Sequence, residues 1–213
     1  MDNDDQVKQR ILEASKELFF QYGFSRVTVD EIAAKIGISK KTIYKYFSSK
    51  EEIVDSVAKV IMNEMDRSCD LIMNEDGGDF VFKMKKMMTN VAVQYARVGT
   101  ALLEDLQKYA PNVWKEIADF RTERINKRFG TLLEEGIEQG YLRKDIDRRL
   151  VLMIYGNAIQ TIIQPEMLLQ LPFSAVEIYE TIVKVIFEGI LTDEAKPKYL
   201  SHSPILSLAH QRI

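Results

Sequence analysis

Apolar residues recur at helical spacing along almost the whole chain, and no segment alternates as a half-buried strand does. Val7, Ile11, Ala14 and Leu18 are four, three and four residues apart, the stripe of an amphipathic helix that ends near Gly23. Thr28 and Glu31 have the spacing of a capping box and open a second helix, whose apolar stripe is Val29, Ile32, Ala33 and Ile36. Gly37 stands where a helix takes its left-handed closing residue. Ser39 caps a short third helix that offers Ile43 and Phe47 to the core. Ser49 and Glu52 repeat the capping pattern before a longer fourth helix with Ile53, Val57, Ile61 and Met65.

After a break at 74–79, which contains Gly77 and Gly78, helical patterns run over 80–97, 99–109, 112–139, 148–167 and 175–191. Ser174 and Glu177 cap the last of these, and Pro111, Pro165 and Pro172 fall at or near helix ends. The fold class read from this is all-α with about nine helices. Residues 1–48 form a three-helix head, 49–191 a helical body, and 192–213 a tail in which the pattern fades and mobility is expected.

Several function classes are poorly served by this sequence. With 213 residues, 46% of them hydrophobic, the chain can bury a real core without a disulfide or a metal staple. Cys69 is the single cysteine, and the two histidines, His202 and His210, lie near the C-terminus, so neither a metal site nor another cofactor is expected. Glu134 and Glu138 share a helix face without a histidine beside them, which reads as solvated surface, and no catalytic residues are assigned. The first residues, Asp2, Asp4 and Asp5, are acidic and lead into no apolar run. The stretch 150–163 is broken by Asn157 and Gln160 and is too short to span a bilayer. A cytoplasmic protein without a membrane partner is expected.

The charge is unevenly placed. Lys35, Lys40, Lys41, Lys45 and Lys50 lie between 32 and 50 with no acid among them, whereas the whole chain carries a net −3. An anionic partner should therefore meet this segment. Only Gly37, Ile38 and Ser39 join the second helix to the third, the arrangement of a helix-turn-helix whose last helix enters the major groove. If Ile32, Ala33, Ile36, Ile43 and Phe47 pack inward, Lys40, Lys41, Thr42, Tyr44 and Lys45 face outward, with lysine, threonine and tyrosine all able to donate to phosphates. Lys50 opens the fourth helix, whose N-terminus also favours a phosphate. A lysine cluster alone is most often a solvated face. The capped helix, the glycine turn and the interleaved Tyr44 and Tyr46 together point to double-stranded DNA.

The run from Thr28 to Ile53, TVDEIAAKIGISKKTIYKYFSSKEEI, resembles the DNA-binding head of the TetR/AcrR family of bacterial transcription regulators. ILEASKELFFQYGF, from Ile11 to Phe24, is similar to that family's first helix and its glycine-aromatic exit. The family commonly has glycine where this chain has Lys41, and often histidine where it has Tyr46. The resemblance implies that Thr28, Lys41, Tyr44, Tyr46 and Lys50 contact phosphates, that Ser39 belongs to the same surface, and that Lys40, Thr42 and Lys45 are candidate base readers.

The resemblance also implies a body that binds a small-molecule effector and forms a homodimer through its last two long helices, so that two heads read a palindromic operator. Leu150, Val151, Ile154, Ala158 and Ile162 line one of these helices and Val176, Tyr179, Val183, Ile186 and Ile190 the other, as an isologous four-helix interface or a monomer core would require. Methionines suit an adaptable apolar cavity as well as an ordinary core. Candidate effector contacts are Met62, Met65, Met84, Met88, Trp114 and Tyr155, with Tyr95, Arg121 and Asn157 as polar orienters. The leading function is a repressor that releases its operator when the effector binds. The alternatives are a ligand-independent regulator on the same fold and a helical protein-interaction module.

Overall fold

The computed structural model describes residues 3–75, 77–98 and 100–200. Among these the chain is helical throughout: α1 (Asn3–Tyr22), α2 (Val29–Ile36), α3 (Lys40–Ile43), α4 (Lys50–Met73), α5 (Phe80–Arg97), α6 (Thr100–Tyr109), α7 (Pro111–Arg124), α8 (Gly130–Glu138), α9 (Arg148–Ile162), α10 (Pro165–Gln170), α11 (Ala175–Ile190) and α12 (Ala195–Leu200). The all-α class holds. The expected helix over 112–139 is α7 and α8 joined without a break by a π-helical turn, Ile125–Phe129. The pattern over 148–167 divides at Pro165, which begins α10 because proline suits the first turn of a helix and not its interior. The tail is less featureless than expected: α12 buries Ala195 and Tyr199. His202, His210 and the rest of 201–213 lie outside the described residues.

The local signals act as the sequence suggests. The Thr28 hydroxyl accepts from the Glu31 N–H at 3.2 Å, and the Glu31 carboxylate accepts from the Thr28 N–H at 2.7 Å, closing the capping box of α2. Gly37 adopts φ 70°, which lets the Ile38 N–H reach back to the Ala33 carbonyl at 3.0 Å and end the helix. Ser174 and Glu177 close an equivalent box on α11. At α4 the box is divided: Ser49 Oγ accepts from the Glu52 N–H, but the Glu52 carboxylate turns to the N–H and hydroxyl of Ser48.

The chain forms two compact units. One comprises the chain through Met65 with Arg97–Ile117; the other comprises Asp66–Ala96 with the chain from Ala118 onward. The first unit therefore takes in more than residues 1–48. Its core gathers Ile11, Phe19, Phe24, Ile32, Ile43, Phe47, Ile53 and Val57 from the N-terminal helices and their exits with Leu102, Leu106, Ala110 and Val113 from α6, α7 and the residue between them. Phe19 and Phe24 meet edge to face at 5.7 Å between centroids, so the glycine-aromatic exit of α1 folds back onto its own helix. Arg10 donates to the Ile36 carbonyl at 2.8 Å and Lys16 pairs with Glu64 at 2.9 Å, tying α1 to α2 and to α4.

The second unit is built on Phe80, Met84, Met88, Leu132, Leu133, Ile159, Tyr179, Val183 and Phe187, all buried. An antiparallel bridge between Leu142 and Leu191 closes it, with the Arg143 N–H on the Ile190 carbonyl at 2.9 Å. Two helices, α4 and α7, and the end of α5 pass from one unit into the other.

Candidate nucleic-acid interface

α3 is only one helical turn, and its start is fixed by Ser39, whose hydroxyl accepts from the Thr42 N–H at 3.0 Å and bonds the Thr42 hydroxyl at 2.8 Å. Ile43 and Phe47 drop into the core; between them Tyr44 and Lys45 stay exposed, while Tyr46 packs partly against that core. Lys41, Tyr44 and Lys45 are exposed, and among the described residues neither lysine has an ion-pair partner. These three form the part of the segment ready to take an anion.

The remaining candidates are committed elsewhere to varying degrees. Lys40 Nζ lies 2.7 Å from Asp30 Oδ2, and that hydrogen bond holds the ammonium charged beyond its ordinary range. Tyr46 donates to Asp4 at 2.7 Å, which raises its hydroxyl pKa. Thr28 Oγ is absorbed in the capping box. Lys50 lies 4.5 Å from the centre of the Phe24 ring and donates to the Ser25 carbonyl at 3.3 Å. Partial burial lowers its pKa, opposed by the nearby Glu51, Asp105 and Glu31 charges. Thr42 and Ser39 are occupied with each other but remain on the surface beside Lys41 and Lys45. Sequence reasoning had no means to find Asp4 and Asp30 as carboxylates on this face, because both are brought there by packing between helices.

The nine effector candidates separate by unit. Met62, Met65 and Trp114 belong to the first, and Trp114 packs against the head's core cluster. Met84, Met88, Tyr95, Arg121, Tyr155 and Asn157 belong to the second. Asn157 is exposed and donates to the Met153 carbonyl one turn back on its own helix. Tyr95 and Tyr155 meet at a residue that the sequence reading had placed on the dimer stripe. Tyr179 is 1% exposed; its ring centroid lies 5.4 Å from that of Tyr95, and its hydroxyl lies 3.5 Å from that of Tyr155. Phe129 packs on Tyr155 at 4.6 Å and on Phe187 at 5.4 Å. Burial raises all three phenols, while the Arg121 charge draws Tyr95 and Tyr155 back towards ionisation.

The expected interface stripes also divide. Val151, Tyr179, Val183 and Ile190 are core of a single chain, whereas Leu150, Met153 and Ile154 on α9 and Val185 on α11 stand more than half exposed. A helix with apolar residues on two sides gives one periodic signal, and only packing reveals which side is covered.

Among the described residues no group of three histidine, cysteine, aspartate or glutamate side chains is placed to hold a metal ion, and no helix is long and apolar enough to cross a membrane. Residues 11–57 match the family described as bacterial regulatory proteins, tetR family. The helix-turn-helix-type transcriptional regulator YvaF of Bacillus subtilis is 32% identical over 188 residues, covering 88% of this chain and 97% of that protein. In fold the chain is similar to a transcriptional regulator from Cytophaga hutchinsonii (TM-score 0.68, 19% identity, 90% of this chain and all of the other). It is also similar to Bacillus subtilis FadR in complex with stearoyl-CoA (TM-score 0.60, 20% identity, 85% and 98%). Identity above 30% along nearly the whole of a relative, on a capped helix-turn-helix whose exposed face is basic, decides the family. The chain belongs to the TetR family of bacterial regulatory proteins and is a DNA-binding transcription regulator, not an enzyme.

Proposed function

We propose that this regulator is an effector-controlled repressor: a homodimer that holds a palindromic operator through its two heads and releases it when a small molecule enters the second unit. The observation that carries the reading is the exposed trio Lys41, Tyr44 and Lys45, without ion-pair or hydrogen-bond partners among the described residues, on α3 and the turn that continues it, whose opposite side, Ile43 and Phe47, is locked in the core. Such a helical turn and its exit present cations and a phenol in a fixed register, which is what positioning on phosphates and reading of base edges require.

Dimerisation is supported by Leu150, Met153 and Ile154 on α9 and Val185 on α11, a set of large exposed side chains on the two long helices that follow the π-helical turn. Pairing these helices with their symmetry mates would cover that set in one isologous contact and bring two heads to half-sites about 34 Å apart. For control, α4 is one unbroken helix that contributes residues to both units. An effector that favours one setting of α4 shifts the spacing of the heads only by as much as its affinity differs between the settings. FadR bound to stearoyl-CoA suggests an amphiphilic effector for this chain as well.

The test is footprinting on the DNA flanking the protein's own gene, with the Lys41→Glu/Tyr44→Ala double variant as control. A protected palindrome that the variant loses supports the reading and gives the half-site spacing. Equal protection by the variant would remove the head from the argument. Protection that no amphiphile relieves would leave a ligand-independent regulator.

A further inference from the structure

Backbone N–H groups from Thr42 to Phe47 each bond back to the carbonyl three or four residues earlier, without a gap. The helical sense of α3 therefore continues past Ile43, and successive side chains turn by roughly 100°. With Ile43 and Phe47 buried, Lys41 and Lys45 form the crest on the opposite side of this helical run. Lys40 and Tyr44 fall on one flank, and Thr42 and Tyr46 on the other.

Three of the four flanking side chains already have partners. Lys40 is held by Asp30, Tyr46 by Asp4, and the Thr42 hydroxyl by that of Ser39. The crest differs: Lys41 and Lys45 are exposed, and neither ammonium has a hydrogen bond or ion pair among the described residues. A helix laid in the major groove turns its flanks towards the phosphates on either side and its crest towards the base edges. The two free cations of this helical run therefore face bases.

We infer that Lys41 and Lys45 read guanine in the operator. Residues 28–47 contain no asparagine or glutamine, and their two acids are committed, Asp30 to Lys40 and Glu31 to the capping box of α2. Adenine and cytosine each present an amino donor in the major groove, for which this segment has no amide or uncommitted carboxylate. Thymine offers the single O4 acceptor, whereas guanine places O6 and N7 side by side for one ammonium. The inference rests on the DNA-binding head and on nothing about effector or dimer contact. It also moves Lys41 from the phosphate contact that the family resemblance implies to a base edge.

Binding sites are selected from a randomised duplex pool by the full-length protein and by its Lys41→Met and Lys45→Met variants, whose thermal midpoints check the fold. Sites taken by the unsubstituted protein are expected to carry guanine at defined positions. Replacing such a guanine by 7-deazaguanine, which lacks the N7 acceptor but still pairs with cytosine, should weaken binding about fivefold or more. Each methionine variant should relax the selection at a guanine and become indifferent to 7-deazaguanine there. Lys41→Arg and Lys45→Arg, which keep donors for O6 and N7, should retain the preference. A methionine variant that loses affinity equally for every sequence and keeps its guanine preference has lost a phosphate contact, which overturns the inference for that lysine. Selected sites without guanine overturn it for both while leaving the head a sequence-reading DNA binder. Binding without preference for any base overturns it and removes sequence reading from the head as well.

Discussion

Asp30 Oδ2 lies 2.7 Å from Lys40 Nζ, so a carboxylate of α2 already occupies the cation that begins α3. The pair is exposed on both sides, with Lys40 48% and Asp30 66% accessible, and an ion pair of this kind contributes little to folding. Its consequence lies in DNA binding, because a phosphate must compete with Asp30 for Lys40 and must approach the Asp30 charge to do so. Asp30→Asn is expected to tighten operator binding about two- to fivefold at low salt, with an effect that shrinks as salt rises and a nearly unchanged thermal midpoint. Anisotropy titrations at two salt concentrations check this. Weaker binding by the variant would show that Asp30 orients Lys40 for a base and does not merely detain it.

Lys41 and Lys45 differ from Lys50 in what they are free to do. Lys41→Ala and Lys45→Ala should each lower affinity, and where the lost contact is to a phosphate the slope of log affinity against log salt should fall by about 0.9. Lys50→Ala should act chiefly through the head's packing, since its ammonium lies over Phe24 and on the Ser25 carbonyl. The check is to measure both the slope and the urea midpoint for each variant. A Lys50→Ala protein with native stability and a reduced slope would return that residue to the phosphate contacts.

The head was far more legible than the body. Thr28, Glu31, Gly37 and Ser39 act through bonds to residues within a few positions in the chain, so their spacing alone carries the geometry. Lys50 and Tyr46 look like surface donors in the sequence because nothing local reveals that Phe24 and Asp4 are brought to them. Tyr179 illustrates the same limit in the body. Its place on an apolar stripe announces burial, but a stripe does not say whether a second chain or the same chain covers it. The π-helical turn at Ile125–Phe129 left no mark in the pattern, since one wider turn shifts the register of the helix without changing which residues are apolar.

Gly136 on α8 is a position where shape outweighs helix propensity. A methyl group built there would come within 2.6 Å and 2.8 Å of the Phe80 ring and 2.9 Å of Leu142. Phe80 is fully buried and stacked on Tyr141 at 5.9 Å, so the ring has little room to yield. Alanine favours a helix over glycine by up to about 1 kcal/mol, but overpacking a tight core costs about 1–3 kcal/mol. Gly136→Ala should therefore destabilise the protein, as seen in a lower urea midpoint with an unchanged slope. A stabilised variant would mean that α5 and α8 can separate at this contact more easily than the packing suggests.

The buried tyrosines set the alkaline limit of stability. Burial raises the folded pKa of Tyr155 and Tyr179 well above the ordinary value of 10.0, and Tyr95 is raised by the same cause with the Arg121 charge opposing it. A group whose folded pKa is raised contributes stability that is intact below its unfolded pKa. That stability is lost as pH rises above about 10, where the unfolded chain can shed the proton and the folded chain cannot. Between about pH 10 and pH 11 each of Tyr155 and Tyr179 should remove up to about 1.4 kcal/mol, so the unfolding free energy falls steeply in that window. Denaturation curves across it, compared with a Tyr155→Phe/Tyr179→Phe variant, measure the contribution, and the variant's pH dependence should be visibly flatter. Absorbance at the phenolate band gives an independent reading, because these two rings should ionise only together with unfolding. A smooth titration of all nine tyrosines in the folded protein would show that water reaches the cluster.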